Sequence, residues 1–246
     1  MGDDGGLITR MQGVTVSREY GSGGGEIAAR LANKLNWHLI DHEVLVRVAQ
    51  QLGVSVAEVE PLDEHADSFF IRMLSSMQTV EPAILGAPHE LQPLDARAYQ
   101  DALRTVVLAA IDVGHVVIVG RGGQALLKDR RDVLHVRVVA PLEMRVEYVA
   151  RREALTHDEA LQRVQQKDRD REQFMQSAHH CRVGDAHNYD IVVNTAIFDL
   201  DSAVDIVWRA LVAKAQRLDI PLAALGPGMG LAEYTGQVAD LHPPDA

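Results

Sequence analysis

Five short β-branched runs, at residues 13–17, 37–40, 115–120, 133–139 and 189–194, constrain this chain more than any other feature. Between them apolar residues recur at helical spacing: Ile27, Ala28, Leu31, Ala32 and Leu35; Val44, Leu45, Val48, Ala49 and Leu52; and Leu103, Val106, Val107, Ala110 and Ile111. The same period returns in Leu142, Val146 and Val149, and in Leu200, Ala203, Val204, Val207 and Leu211. Strands that are apolar at nearly every position need cover on both faces, and strand–helix alternation supplies it with a parallel sheet. The expected fold class is therefore α/β, a five-stranded parallel sheet sandwiched by helices.

The first strand runs into its helix through Gly21, Ser22, Gly23, Gly24 and Gly25. Glycines at such a turn allow positive φ and close approach of backbone N–H groups to an anion, and the helix N-terminus adds partial positive charge. Phosphate is the natural guest. The P-loop pattern GxxxxGK[ST] laid over this stretch puts Arg18 at the first glycine, Gly24 at the lysine and Gly25 at the metal-binding hydroxyl. A plain flexible connection is the alternative reading. Glu26 in the first helical turn suits the helix dipole but repels phosphate, while Arg18 and Arg30 return positive charge.

A net charge of −11 over 246 residues excludes a general nucleic-acid or anionic-membrane binder, which needs a broad positive surface. An anionic substrate must then be held by a local cluster of arginines and amides. The one cysteine, Cys181, forms no intrachain disulfide and suits a reducing compartment. No basic and apolar leader opens the sequence, and no apolar run approaches the ~20 residues of a membrane span, so a cytoplasmic protein is expected. Residues 1–12 read as a flexible leader and 218–246 as a flexible tail.

Further candidates sit at strand ends and in one charged segment. Asp41 follows the second strand, either on the edge where α/β folds bind ligands or as an N-cap for the next helix. Arg121 follows the third strand inside a second glycine-rich turn, facing the phosphate loop or simply exposed. Asp168, Arg169 and Arg171 lie in a mixed-charge run, either a solvated helix face or a lid that closes over phosphates. Thr156 and Glu159 have the look of a capping box. Phe69, Phe70 and Met73 read as core or as a contact between two copies of the chain. His179, His180, Cys181, Asp185 and His187 match no recognised zinc spacing, and no metal ligand is assigned.

Five segments in order resemble the cytidylate kinase-like family, a relative of the bacterial cytidylate kinases among the nucleoside monophosphate kinases. They are residues 17–28 (Ser-Arg-Glu-Tyr-Gly-Ser-Gly-Gly-Gly-Glu-Ile-Ala), 63–70, 120–127 (Gly-Arg-Gly-Gly-Gln-Ala-Leu-Leu), 168–171 (Asp-Arg-Asp-Arg) and 189–195. The resemblance covers about 12–212 and implies a P-loop kinase domain over 13–217, with a nucleotide-binding insertion near 55–97 and a lid near 155–187. It also implies transfer of the ATP γ-phosphoryl group to CMP or dCMP with Mg²⁺. On that likeness Arg18 and residues 21–25 hold the donor phosphates, and Arg121 faces the acceptor. Arg169 and Arg171 close on the transferring group beside Asp168, and Asp41 orients the acceptor or a metal-bound water. Bacterial cytidylate kinases carry lysine where Gly24 stands, many relatives carry arginine at Gly25, and Gln166 and Gln173 replace lid arginines. A nucleotide-binding sensor or interaction protein lacking the P-loop lysine is the alternative.

Overall fold

The computed structural model describes residues 4–41 and 96–226. The readings that rest on Val44 to Leu52, on Phe69, Phe70 and Met73, and on nearly all of the 55–97 insertion lie outside the described residues. The five strands are β1 (Gly13–Arg18), β2 (His38–Ile40), β3 (Val116–Val119), β4 (Val133–Val139) and β5 (Ile191–Asn194). They form one all-parallel sheet in the order β2-β3-β1-β4-β5, so β1 is central. The loop that follows β1 therefore opens at the middle of the sheet's carboxyl edge, where open α/β sheets bind ligands.

The helices are α1 (Asp4–Ile8), α2 (Gly24–Leu35), α3 (Ala96–Val113), α4 (Gly123–Leu126), α5 (Leu142–Glu153), α6 (His157–His179) and α7 (Leu200–Ala215). Alternation along the strands decides which helix covers which face. Val14, Val16, Leu134, Val136 and Val138 pack beneath Ile27 and Leu31 of α2 and Val207 and Leu211 of α7. On the other face Val116, Ile118 and Val133 meet Val106, Val107 and Ile111 of α3. Val164 of α6 packs with Val146 and Val149 of α5 in a smaller cluster. The capping box at Thr156 is present, with both reciprocal bonds to Glu159, and starts α6.

The second face also carries a polar strip. Thr15 and Ser17 of β1 pair in register with His135 and Arg137 of β4, and all four are buried. Thr15 Oγ1 lies 2.8 Å from His135 Nδ1, and Arg137 Nη1 donates to Ser17 Oγ at 3.2 Å. The strip leads up to the carboxyl edge.

Both ends of the domain differ from the sequence expectation. The leader is not loose from residue 4 onward: α1 forms, and Ile8 and Met11 are buried in the core with α7. Leu7, Ile8 and Met11 supply the apolar contact that docks it. The tail is held through its first residues, because Leu218 packs on the core, Arg10 pairs with Asp219, and Arg131 donates to the carbonyls of Arg217 and Ile220. Residues 227–246 lie outside the described residues.

Candidate functional site

The turn after β1 is built from backbone conformations that glycine favours. Gly21 has φ 82° and Gly23, the N-cap of α2, has φ 77°. No side chain caps α2, so the amides of its first turn, which a helix leaves unsatisfied, line the cavity above them. A Cβ at Gly25 would meet nothing within 4 Å, so this position is sterically open. Ser22 serves the loop itself: its Oγ lies 2.9 Å from Glu19 O and 3.2 Å from Val138 O, and its carbonyl accepts from Thr195 Oγ1.

Helix α6 grips this loop from outside. The Tyr20 amide donates to Asp168 Oδ1 at 2.9 Å, and the other Asp168 oxygen accepts from Arg145 Nη1 at 2.5 Å. Arg145 also donates to Tyr20 O, and Arg171 Nη1 donates to Arg18 O at 2.9 Å with its guanidinium 5.3 Å above the Tyr20 ring. Glu19 lies between Arg137, at 3.7 Å, and Arg145, at 3.5 Å, and accepts the Ala140 amide. Of the mixed-charge run, Asp168 and Arg171 thus hold the loop, and Arg169 donates to Gln166 from a neighbouring face of the helix.

The Arg18 side chain crosses the carboxyl edge. Its stem passes Gly24 and its guanidinium lies over Gly120, just beyond β3. Burial, then the charges of Arg171 and Arg121, push its pKa down to about 10, against the pull of Asp41 and Glu26. Burial also lowers the pKa of Arg121, and that of Arg171, where Asp168 opposes the shift. All three stay charged at neutral pH. Partly desolvated guanidiniums that crowd one another favour an anion among them. Arg121 adopts φ 56°, and Asp41 stands at the end of β2 within the field of Arg18.

Glu26, the charge that opposes phosphate, lines the cavity over the α2 start and is bound there by two side chains. Its Oε1 accepts from Tyr148 Oη at 2.5 Å and pairs with Arg152 Nη1 at 2.8 Å, both on α5. Arg30 pairs with exposed Asp201 at 2.6 Å and takes no part in the site.

Two cavities meet on Arg18, Glu19 and Arg171. One, of about 180 Å³, lies over Gly23, Gly24 and Gly25 beneath Tyr148 and Arg152. It is smaller than the ~300–1,000 Å³ of typical small-molecule sites and suits phosphoryl groups rather than a whole nucleotide. The other, of about 460 Å³, is lined by Arg137, Arg145, Asp168 and Arg169. Arg137, Arg145, Tyr148 and Arg152 are absent from the sequence candidates. The one available signal was Arg137, a charge inside a strand that is apolar apart from it and His135.

The groups present fit a chain of phosphates: open amides at a helix start, beside Arg18 and Arg171. They offer less to a metal ion. Gly25 stands at the hydroxyl position, and among the described residues no three His, Cys, Asp or Glu side chains are grouped as a metal would need.

A model of the cytidylate kinase-like family matches residues 13–197. The chain belongs to the cytidylate kinase-like family. It is 26% identical over 200 residues to a cytidylate kinase of Ignicoccus hospitalis, a match that covers 81% of this chain and 98% of the relative. It is also 31% identical over 157 residues to a uronate isomerase of Corynebacterium glutamicum, covering 63% of this chain. The chain spans only 30% of that relative's length, so its name describes a longer molecule and gives this chain no activity. Among solved structures, an uncharacterized protein from Eubacterium ventriosum superposes with a TM-score of 0.60 at 19% identity, over 81% of this chain and 98% of its own. That likeness is one of fold alone. Among the described residues no helix is long and apolar enough to cross a membrane.

Proposed function

We propose that this chain is a nucleoside monophosphate kinase that moves the ATP γ-phosphoryl group to CMP or dCMP. The observation that carries the reading is that a cavity over Gly23, Gly24 and Gly25 and a second, wider cavity share Arg18 and Arg171 in their walls. A phosphate oxygen of the acceptor attacks the γ-phosphorus, and the bond from that phosphorus to the β–γ bridging oxygen breaks. ADP leaves and the acceptor becomes a diphosphate. The charge spreads over the three equatorial oxygens, so positioning and cations do most of the work. The amides and Arg18 hold the donor phosphates, Arg171 reaches the transferring group, and Arg121 with Asp41 faces the acceptor. Arg169 lines the wider cavity and supplies further positive charge to it. Mg²⁺ bound with ATP would supply further neutralisation of the phosphate charge, a task that Arg18 and Arg171 would share. Family membership and the Ignicoccus hospitalis cytidylate kinase support the choice of a cytidine acceptor.

Release of ADP from MgATP with CMP, dCMP, UMP or AMP tests the reading. Turnover that requires CMP or dCMP supports it, and absence of turnover with every acceptor ends it. A second reading, a nucleotide sensor without catalysis, is favoured by Gly25 standing where a metal-binding hydroxyl belongs. It requires saturable MgATP binding with no ADP formed.

A further inference from the structure

The glycine at position 24 and the arginine at position 18 belong to one arrangement. In the P-loop pattern the first position is glycine and the seventh is lysine; here the first is Arg18 and the seventh is Gly24. A Cβ built on Gly24 would sit 2.6 Å from Arg18 Cβ, 3.2 Å from Arg18 Cγ and 3.2 Å from Val138 Cβ. The obstructing atoms are a stem one bond from the backbone and a β-branched core residue, so neither can swing away. The space in which a lysine stem would begin is filled by the arginine stem. From there the guanidinium extends over Gly120, where a Cβ would fall 2.4 Å from Nη1. Gly120 has φ 78°, so glycine there satisfies both the turn and the passing guanidinium.

We infer that Arg18 replaces the P-loop lysine: the phosphate-binding cation has moved from the seventh position of the loop to the first, and position 24 is glycine to let it pass. The inference rests on the nucleotide reading above and deepens it. It also accounts for the way the rest of the loop is built. Arg171 holds Arg18 by its carbonyl and leaves the Arg18 guanidinium to the cavity. Glu26, which lines the same cavity, is bound by Tyr148 and Arg152. Arg18 is largely buried beside two other guanidiniums, with Asp41 the main charge that opposes them, and crowded cations of this kind favour an anion among them.

The two positions then exclude each other's side chains. Gly24→Lys alone, which would complete the usual motif, places a second stem on Arg18 and lowers phosphate affinity. Arg18→Gly with Gly24→Lys writes the ordinary motif with room for it. The test is calorimetric titration of full-length wild type, Arg18→Met, Arg18→Gly, Gly24→Lys and the double variant with inorganic tripolyphosphate and with MgATP. Arg18→Met keeps a stem against Gly24 and removes the charge; its tripolyphosphate affinity falls about tenfold to a hundredfold, as for a lost charged hydrogen bond. Gly24→Lys also weakens binding, and the double variant binds tighter than Arg18→Gly, within about tenfold of wild type, a non-additive cycle.

The inference is overturned if Arg18→Met binds tripolyphosphate as wild type does, or if the double variant binds no tighter than Arg18→Gly. Circular dichroism melts check folding. If Arg18→Gly loses the fold, Arg18→Met against wild type decides. Wild type that binds tripolyphosphate through Arg18 yet forms no ADP with any acceptor removes the kinase reading and leaves the inference standing. Wild type that binds neither probe overturns the inference.

Discussion

Asp168 accepts the amide proton of Tyr20 at 2.9 Å and so joins the middle of α6 to the phosphate loop, across 148 residues of chain. Its second oxygen takes Arg145, whose side chain is only 9% exposed. Asp168→Ala therefore removes acceptors from a backbone amide and from a nearly buried guanidinium at once. Loss of about 2–4 kcal/mol is expected, read as a lowered urea midpoint with unchanged slope. Asp168→Asn keeps an acceptor for Tyr20 and loses the charge for Arg145, so its midpoint falls between the two.

Arg152 and Tyr148 bind the Glu26 carboxylate, which lines the cavity over the α2 start, and offset its charge there. Burial, then the hydrogen bond to Glu26, raises the Tyr148 pKa, so the phenol stays protonated and donating at neutral pH. Arg152 is 62% exposed, which limits its effect. Arg152→Ala is expected to weaken MgATP binding about two- to fivefold, the range of an exposed pair. Tyr148→Phe acts in the same direction, and Glu26→Gln in either background removes the difference. Calorimetry at fixed ionic strength reads all of these.

How far the sequence could be read follows from where the information lies. Strand positions were legible because runs such as Val116 to Val119 are buried at every residue and have no other stable place. Arg121 and Asp41 were legible as edge residues because each follows a strand of a parallel sheet, and Arg18 was legible through its place at the first position of the P-loop pattern. Arg169 and Arg171 were grouped as members of one charged run resembling a lid, yet residues two apart on a helix differ by roughly 200° in direction. Asp168 and Arg171, three apart, share the face that meets the loop, and Arg169 bonds Gln166 instead. The Arg145 bond to Asp168 and the Tyr148 bond to Glu26 were illegible, because each joins side chains that only the finished packing of α5 against α2 and α6 brings together. Nor did composition reveal Met11, whose burial depends on α7, which follows it by nearly the whole domain.

Gly21 has φ 82°, and a Cβ there would lie 2.8 Å from the Arg145 carbonyl oxygen and 2.9 Å from Val149 Cγ2. Positive φ alone costs an L-residue about 1–2 kcal/mol, and contact with backbone leaves no flexible atom to move. Gly21→Ala is thus expected to push α5 off the loop. The measured result is a thermal midpoint lowered by several degrees together with weaker tripolyphosphate binding. Gly25→Ala, which meets nothing within 4 Å, is the control and leaves the midpoint near wild type.

His135 gives the fold an acid limit. Its ring lies between Thr15 Oγ1, 2.8 Å from Nδ1, and Leu127 O, 3.2 Å from Nε2. Burial pushes its pKa down to about 4 from the ordinary 6.5, with Lys214 adding to the shift and Asp190 opposing it. Above the unfolded value the imidazole is neutral in both states and its contribution to stability is complete. As pH falls below about 6.5 the unfolded chain takes up a proton that the folded chain refuses until about 4, so stability is lost across that window and levels off beneath it. At about 1.4 kcal/mol per unit, the loss by pH 5 is on the order of 2 kcal/mol. His135→Asn keeps polar atoms for Thr15 and does not titrate. Urea unfolding of both proteins between about pH 7 and pH 5 is expected to give wild type the steeper decline. Parallel curves would assign the acid sensitivity to other groups.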